Sequence, residues 1–281
     1  LATRTPRRFT AHEMNRLVAI SNLASLAVEN ARLYAAVQRE LDAARAIQRC
    51  FLPEVVPQVP GYDLAAVTVP ARQVGGDFYD FIPLSNGCWG LVVADVSDKG
   101  APAALFMALT RSLLRVYALG RQSTPLETLS QTNQFILDNT PSSNMFVTLV
   151  YGVLDPTRRT FTYVNAGHNP PLLYTDQAFT MLPAGGPALG VLKDSPWQQH
   201  ELILHPGDTL LLYTDGVTEA TNKARQQLGS GQLRACLQEG RSWSAQTLLD
   251  AVLAEVARFM DGTPLADDLT LMVVRAVEQA P

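Results

Sequence analysis

Residues 89–105 read Trp89-Gly90-Leu91-Val92-Val93-Ala94-Asp95-Val96-Ser97-Asp98-Lys99-Gly100-Ala101-Pro102-Ala103-Ala104-Leu105. Leu91 to Ala94 are apolar at every position, so a strand made of them is covered on both faces. A carboxylate, Asp95, ends that run. Beyond Gly100, Ala101 to Leu119 carries apolar residues at three- and four-residue spacing, the period of a helix, and Pro125 to Asn139 repeats that pattern. Working outward, β-type runs precede the quoted stretch at Tyr62 to Val69 and Phe78 to Leu84. Others follow it at Phe146 to Leu154, Thr160 to Asn165, Pro171 to Thr175, Phe179 to Leu182, Gln199 to Leu204 and Thr209 to Thr214. Ala245 to Met260 has helical spacing, and Leu269 to Val277 is a closing strand. Runs of strands with helices inserted, without strict βαβα alternation, give an α+β fold of packed antiparallel sheets.

The N-terminal part is different in kind. From Ala11 to Leu52 there is neither Gly nor Pro, which predicts one long helix with Thr10 as N-cap and Glu13 completing a capping box. Leu23, Leu26, Asn30, Leu33 and Val37 step by three and four as a heptad seam does. The seam resumes as Leu41, Ala44, Gln48 or Ile47, and Phe51 after an extra step of four, a stutter. Asn30 falls at an inward position, where a polar side chain fixes register and strand number. Two readings stand: a two-stranded coil, or a helix laying its apolar stripe on a neighbouring domain. Pro53, Pro57, Pro60 and Gly61 end the helix and mark a domain boundary.

The chain has 281 residues, 47% apolar and 17% charged, which is ordinary for a folded domain. Its 22 basic and 26 acidic side chains give −4, with no basic stripe to hold nucleic acid. Cys50, Cys88 and Cys236 are odd in number and widely spaced; this predicts neither a disulfide framework nor a zinc cage, and fits a reducing cytoplasm. No apolar run reaches the length of a membrane span, and no signal peptide is found. Leu1 in place of Met leads us to expect a fragment or a processed product.

Four aspartate sites share one setting. Asp77 follows Gly75-Gly76 and opens a strand; Asp95 ends one; Asp215 ends Leu210 to Thr214 and precedes Gly216; Asp267 and Asp268 precede the closing strand. A carboxylate at the mouth of a buried strand is costly unless it is paired, hydrogen-bonded or bound to a cation. Such a set, without accompanying Cys and with little His, describes an all-oxygen site for magnesium or manganese. Two such ions about 3.5–4 Å apart would bridge a water, lower its pKa and aim it at phosphorus. Each Asp-Gly or Gly-Asp alone is equally a turn, and spacing does not show that the four converge.

Five phrases occur in order: 70–80 (Pro70-Ala71-Arg72-Gln73-Val74-Gly75-Gly76-Asp77-Phe78-Tyr79-Asp80), 94–105, 165–171 (Asn165-Ala166-Gly167-His168-Asn169-Pro170-Pro171), 213–220 (Tyr213-Thr214-Asp215-Gly216-Val217-Thr218-Glu219-Ala220) and Asp267-Asp268-Leu269-Thr270. Over Glu40 to Ala276 the chain closely resembles the bacterial SpoIIE/RsbU branch of the metal-dependent (type 2C) protein phosphatases. The resemblance implies a sandwich of two antiparallel sheets flanked by helices, and two divalent cations, Mn²⁺ or Mg²⁺. It implies Asp95 as the carboxylate bridging both cations, the Val96 carbonyl on one of them, and Asp77, Asp215 and Asp267 as the other ligands, with Asp268 a neighbour of open role. Arg72, five residues before Asp77, takes the place of a phosphate-binding arginine, a role that suits a planar guanidinium; its other reading is a strand-edge arginine. His168 among Gly167, Asn169, Pro170 and Pro171 reads as turn architecture or as support for the site. Asp80 falls on the face of its strand opposite to Asp77 and is assigned no catalytic role. The family usually has Gly where Asp98 stands; if that position needs a positive φ, Asp tolerates it less well than Gly.

By the same resemblance, residues 1–33 (Arg7-Arg8-Phe9-Thr10 and the stretch Ala24 to Tyr34) look like the tail and exit helix of a GAF-type sensory domain. Residues 34–60 are then a coiled-coil-like linker and Pro-rich boundary, and 61–277 the phosphatase domain. The implied activity is hydrolysis of phosphoserine or phosphothreonine on a protein, typically an anti-sigma-factor antagonist, with a homodimer formed through the N-terminal helix. Two rivals remain: a catalytically silent module of the same fold, and a two-metal nuclease or phosphodiesterase, which the −4 charge disfavours.

Overall fold

The computed structural model of the chain describes residues 8–120, 123–140, 144–176 and 178–278; Leu1–Arg7, part of the stretch read as a sensory-domain tail, lie outside the described residues. The chain divides into two compact units, Leu1–Ala46 and Ile47–Pro281. The first consists of most of α1 (Ala11–Phe51), a helix of 41 residues without a buried side chain. Thr10 and Glu13 form the expected reciprocal cap: Thr10 N–H donates to Glu13 Oε2 at 2.9 Å, and Glu13 N–H donates to Thr10 Oγ1 at 3.3 Å. The seam residues Leu23, Leu26, Leu33 and Val37 are all exposed.

In the second unit the strands are β1 (Tyr62–Val69), β2 (Phe78–Pro83), β3 (Trp89–Val96), β4 (Val147–Asp155), β5 (Thr160–Ala166), β6 (Leu172–Thr175), β7 (Ala178–Met181), β8 (Gln199–Ile203), β9 (Thr209–Tyr213) and β10 (Leu269–Ala276). They form two five-stranded sheets, in the orders β1-β10-β9-β6-β7 and β2-β3-β4-β5-β8, with every pairing between these strands antiparallel. Helices α2 (Ala101–Ala118) and α3 (Pro125–Asn139) are inserted between β3 and β4. Helices α4 (Asp215–Thr218), α5 (Gly229–Glu239) and α6 (Ala245–Met260) are inserted between β9 and β10.

The two-residue period of a strand explains why β3 is apolar on both faces. Leu91 and Val93 point between the sheets and join Tyr79, Phe81, Val150, Leu210, Leu212, Met272 and Val274 in one core. Val92, Ala94 and Val96 point outward and pack with Phe106, Met107 and Leu114 of α2 and Leu129 and Ile136 of α3. On the far face, Leu211, Leu271 and Val273 meet Leu248, Leu249 and Val252 of α6. The result is four layers, helix–sheet–sheet–helix. Each such Leu or Val taken out of water stabilises the fold by roughly 1.5–3 kcal/mol.

The expected strands and helices are present, with ends displaced by one residue in several cases. Helix α5 is an addition. Its first residues, Gly229-Ser230-Gly231, are poor helix formers, and it is held by Leu233 and Leu237, which pack into the core under α6.

Candidate metal centre

Strand register brings the four aspartates to one end of the sandwich. In the β2–β3 ladder Phe78 pairs with Ala94, so one step further Asp77 stands opposite Asp95. In the β9–β10 ladder Tyr213 pairs with Leu271, which sets Asp215 and Asp267 together at the matching end of the other sheet. Face-to-face stacking then superposes the two pairs. Thr214 ties them: its hydroxyl donates to Asp77 Oδ2 at 2.7 Å and accepts from Thr270 N–H at 2.9 Å.

Glycines let the backbones close in. A Cβ on Gly76 would stand 2.9 Å from the Val96 carbonyl oxygen, so that oxygen lies beside the segment leading into Asp77. A Cβ on Gly216 would overlap the Asp268 carbonyl, and one on Gly75 would overlap the Asp268 carboxylate. Asp268 itself is occupied with main chain: its oxygens accept from Ala71 N–H and Gly76 N–H, both at 2.8 Å. It anchors the 71–76 segment, which carries Arg72 and leads into Asp77.

The electrostatics are those of crowded acids. Burial, and then the neighbouring Asp95 charge, pushes Asp77 well above the usual carboxylate range. Asp95 is pushed up to about 7, first by burial and then by Asp215, against a lowering hydrogen bond with Asp77. Asp215 is raised by burial and then by Asp267 and Glu219. Lys99 supplies one positive charge, with Nζ 2.8 Å from Asp267 Oδ2 and donating to the Ala266 carbonyl at 2.8 Å.

No group of three or more His, Cys, Asp or Glu side chains among the described residues is arranged as it stands to hold a metal ion. Two of these carboxylates have partners within the fold, Asp77 with the Thr214 hydroxyl and Asp267 with Lys99. The donor chemistry nonetheless fits divalent cations, because buried acidic oxygens whose ionisation is opposed by their neighbours are what a hard cation compensates.

The other sequence candidates fall as follows. Arg72 is exposed on the 71–76 segment. His168 is buried, and its Nδ1 lies 2.9 Å from Thr148 Oγ1, the residue paired with Asp95 across β3 and β4. Its turn is closed by Asn165, which accepts from His168 N–H at 2.8 Å and donates to the His168 carbonyl at 3.1 Å. Burial drives the imidazole down to about 4, offset in part by the Tyr213 and Thr148 main chain, so it is neutral near pH 7. Asp80 is fully buried and ion-paired: Arg115 Nε reaches its Oδ2 at 2.6 Å, and Arg111 Nε lies 3.1 Å from the same atom. Asp98 has φ +77°, the conformation that favours glycine, and its Oδ1 accepts from Lys99 N–H at 2.8 Å. Thr214 and Lys99 were not singled out from sequence, although each lies within one of the quoted motifs.

Residues 85–277 match the family described as Stage II sporulation protein E (SpoIIE). Protein IcfG of Synechocystis sp. is 34% identical over 84% of this chain and 41% of its own length. Phosphoserine phosphatase RsbU of Bacillus subtilis is 32% identical over 85% of this chain and 70% of its own length. This chain thus spans less than half the length of the first relative. The SiaA-PP2C domain of Pseudomonas aeruginosa superposes with a TM-score of 0.77 at 23% identity, covering 86% of this chain and 97% of that one. The carboxylates gathered at the sandwich end thus sit in a SpoIIE/PP2C-type phosphatase domain, and the chain belongs to the SpoIIE family.

Proposed function

We propose that this chain hydrolyses phosphoserine or phosphothreonine monoesters on a partner protein, using two divalent cations, Mn²⁺ or Mg²⁺. The observation that carries this reading is the convergence of Asp77, Asp95, Asp215 and Asp267, with burial and the acidic neighbours pushing the Asp95 carboxyl up to about 7. Asp95 and the Val96 carbonyl, from β3, and Asp77, from the start of β2, would hold the cations from one sheet. Asp215 and Asp267 would complete the set from the other. The cations, when bound, supply Lewis acidity toward phosphate oxygens and lower the pKa of an adjacent water.

The chain's own groups do the rest. Thr214 fixes the Asp77 carboxylate, Asp268 fixes the segment carrying Arg72, and Arg72 is free at the surface to grip two phosphate oxygens in parallel. In the reaction a water oxygen forms a new bond to phosphorus as the phosphorus–oxygen bond to the Ser or Thr side chain breaks. One proton of the water ends on the released hydroxyl, and the other stays with the released phosphate.

The wider reading rests on the resemblance. In it the substrate is an anti-sigma-factor antagonist, residues 1–33 continue a GAF-type input, 34–60 are the linker, 61–277 are the catalytic domain, and the protein works in the cytoplasm. The exposed seam on α1, with Leu23, Leu26, Leu33 and Val37, supports pairing of two chains. No helix among the described residues is long and apolar enough to cross a membrane.

The test is phosphate release from a phosphoserine or phosphothreonine peptide with manganese, magnesium or chelator, for the parent chain and Asp95→Asn. Cation-dependent turnover lost in the variant is the expected result. Turnover that persists in chelator and in Asp95→Asn overturns the reading. Absence of turnover under every cation favours a silent module of the same fold.

A further inference from the structure

Gln48 makes a contact for which its place on a helix seam gives no reason. Its Nε2 donates to the Gly75 carbonyl at 2.5 Å, and its Oε1 accepts from Gly75 N–H at 3.1 Å. One side-chain amide thus satisfies both polar groups of one residue, as a neighbouring strand would. Gly75 lies midway between Arg72 and Asp77, in a segment with neither helix nor strand structure. The same segment is held elsewhere by Asp268, through Ala71 N–H and Gly76 N–H. Gly75 is pressed so closely on the Asp268 carboxylate that a Cβ there would overlap it. The segment is therefore pinned at two places, one by the acidic cluster itself and one by the last turns of α1.

We propose that Gln48 is a positioning residue for the cation site. By pairing with Gly75 it holds the 71–76 segment so that Asp77 meets Asp95 and Arg72 faces incoming phosphate. Cation affinity and phosphate capture then depend on the state of the last turns of α1. This rests on the phosphatase reading above and deepens it by naming where the site can be controlled. The physical basis is entropy: an irregular segment that loses two of its four named anchoring hydrogen bonds samples more conformations, and Asp77 must be re-ordered each time a cation binds.

The experiment compares the parent chain with Gln48→Ala, Gln48→Glu and, as a control on the same turn, Arg49→Ala. Three quantities are read: Mn²⁺ affinity by calorimetry without substrate, kcat and KM for a phosphopeptide at saturating Mn²⁺, and melting temperature in chelator. Gln48→Ala is expected to weaken Mn²⁺ about tenfold and to raise KM more than it lowers kcat, with little change of melting temperature. Gln48→Glu keeps the acceptor for Gly75 N–H but sets a carboxylate against the Gly75 carbonyl, so it weakens Mn²⁺ at least as much. Arg49→Ala binds Mn²⁺ as the parent does.

Mn²⁺ affinity within twofold of the parent in both Gln48 variants overturns the proposal, and so does a lowered melting temperature with unchanged affinity. Should Gln48→Ala fail to fold, Gln48→Glu decides by the same measure. A parent chain that binds no Mn²⁺ overturns the phosphatase reading together with this one. A parent that binds Mn²⁺ and releases phosphate, beside Gln48 variants that behave like it, overturns this one alone.

Discussion

Asp77 and Asp80 lie three residues apart at the start of β2, both buried, and they meet opposite fates. Asp80 faces α2 and is neutralised within the fold by Arg111 and Arg115, the latter gripping both of its oxygens at 2.6 and 2.7 Å. Asp77 is met by like charge from Asp95 of the neighbouring strand and from Asp268, and only hydroxyls, of Thr214 and Thr270, hydrogen-bond to its carboxylate. One acid closes an internal account of charge and serves to fasten a helix to a sheet. The other leaves its balance to something brought from outside. A buried carboxylate is therefore informative by its company more than by its burial.

The largest effect that would break this comparison is on turnover. Asp95→Asn should lower cation-dependent phosphate release by about 10³-fold or more, whereas a variant at Asp80 should leave the Mn²⁺ affinity of whatever fraction folds unchanged. On stability the order reverses. Asp80→Ala strands two guanidinium groups in a half-buried site and should cost about 3–5 kcal/mol, seen as a melting temperature lower by roughly 10 °C. Asp77→Asn, measured in chelator, should instead leave the domain as stable as the parent or more so, since it removes a charge that its neighbours oppose.

Acidity sharpens the contrast further. Asp95 in the fold takes up its proton at about 7, against an ordinary 3.8. Between those values the folded chain binds more protons than the unfolded one, so stability in chelator falls as pH rises. Through Asp95 alone the melting temperature should drop by about 3 °C or more between pH 5 and 8, read as the difference between the parent chain and Asp95→Asn. His168, depressed to about 4 from 6.5, acts in the other direction, removing stability as pH falls through that window. The smallest effect is expected at Asp98. With φ +77°, Asp98→Gly should relieve backbone strain and raise stability by about 0.5 kcal/mol, read as a small shift of the denaturation midpoint.

Much of this is legible in the sequence alone. Short β-type runs, one of them apolar at every position, placed the strands, and the aspartates stood out because each ends or opens one. Asp98 was legible as a departure that matters only at positive φ, and φ there is positive. Convergence was not legible, because register is set by pairing across the sheets: nothing local to Asp77 says that Asp95 lies opposite. Thr214 and Gln48 escaped for a related reason, since their partners are groups 137 and 27 residues away. The helix Gly229–Glu239 escaped because tertiary packing overrides a weak local signal.

Gly216 has a consequence for how variation in this chain should be interpreted. It has no reactive group, yet any other side chain at that position would collide with the Asp268 carbonyl. In a library of every single substitution scored for growth or activity, position 216 should be as intolerant as Asp215 beside it. Mutational intolerance around this centre thus traces two overlapping maps, one of chemistry and one of room, and a scan alone would draw them as one.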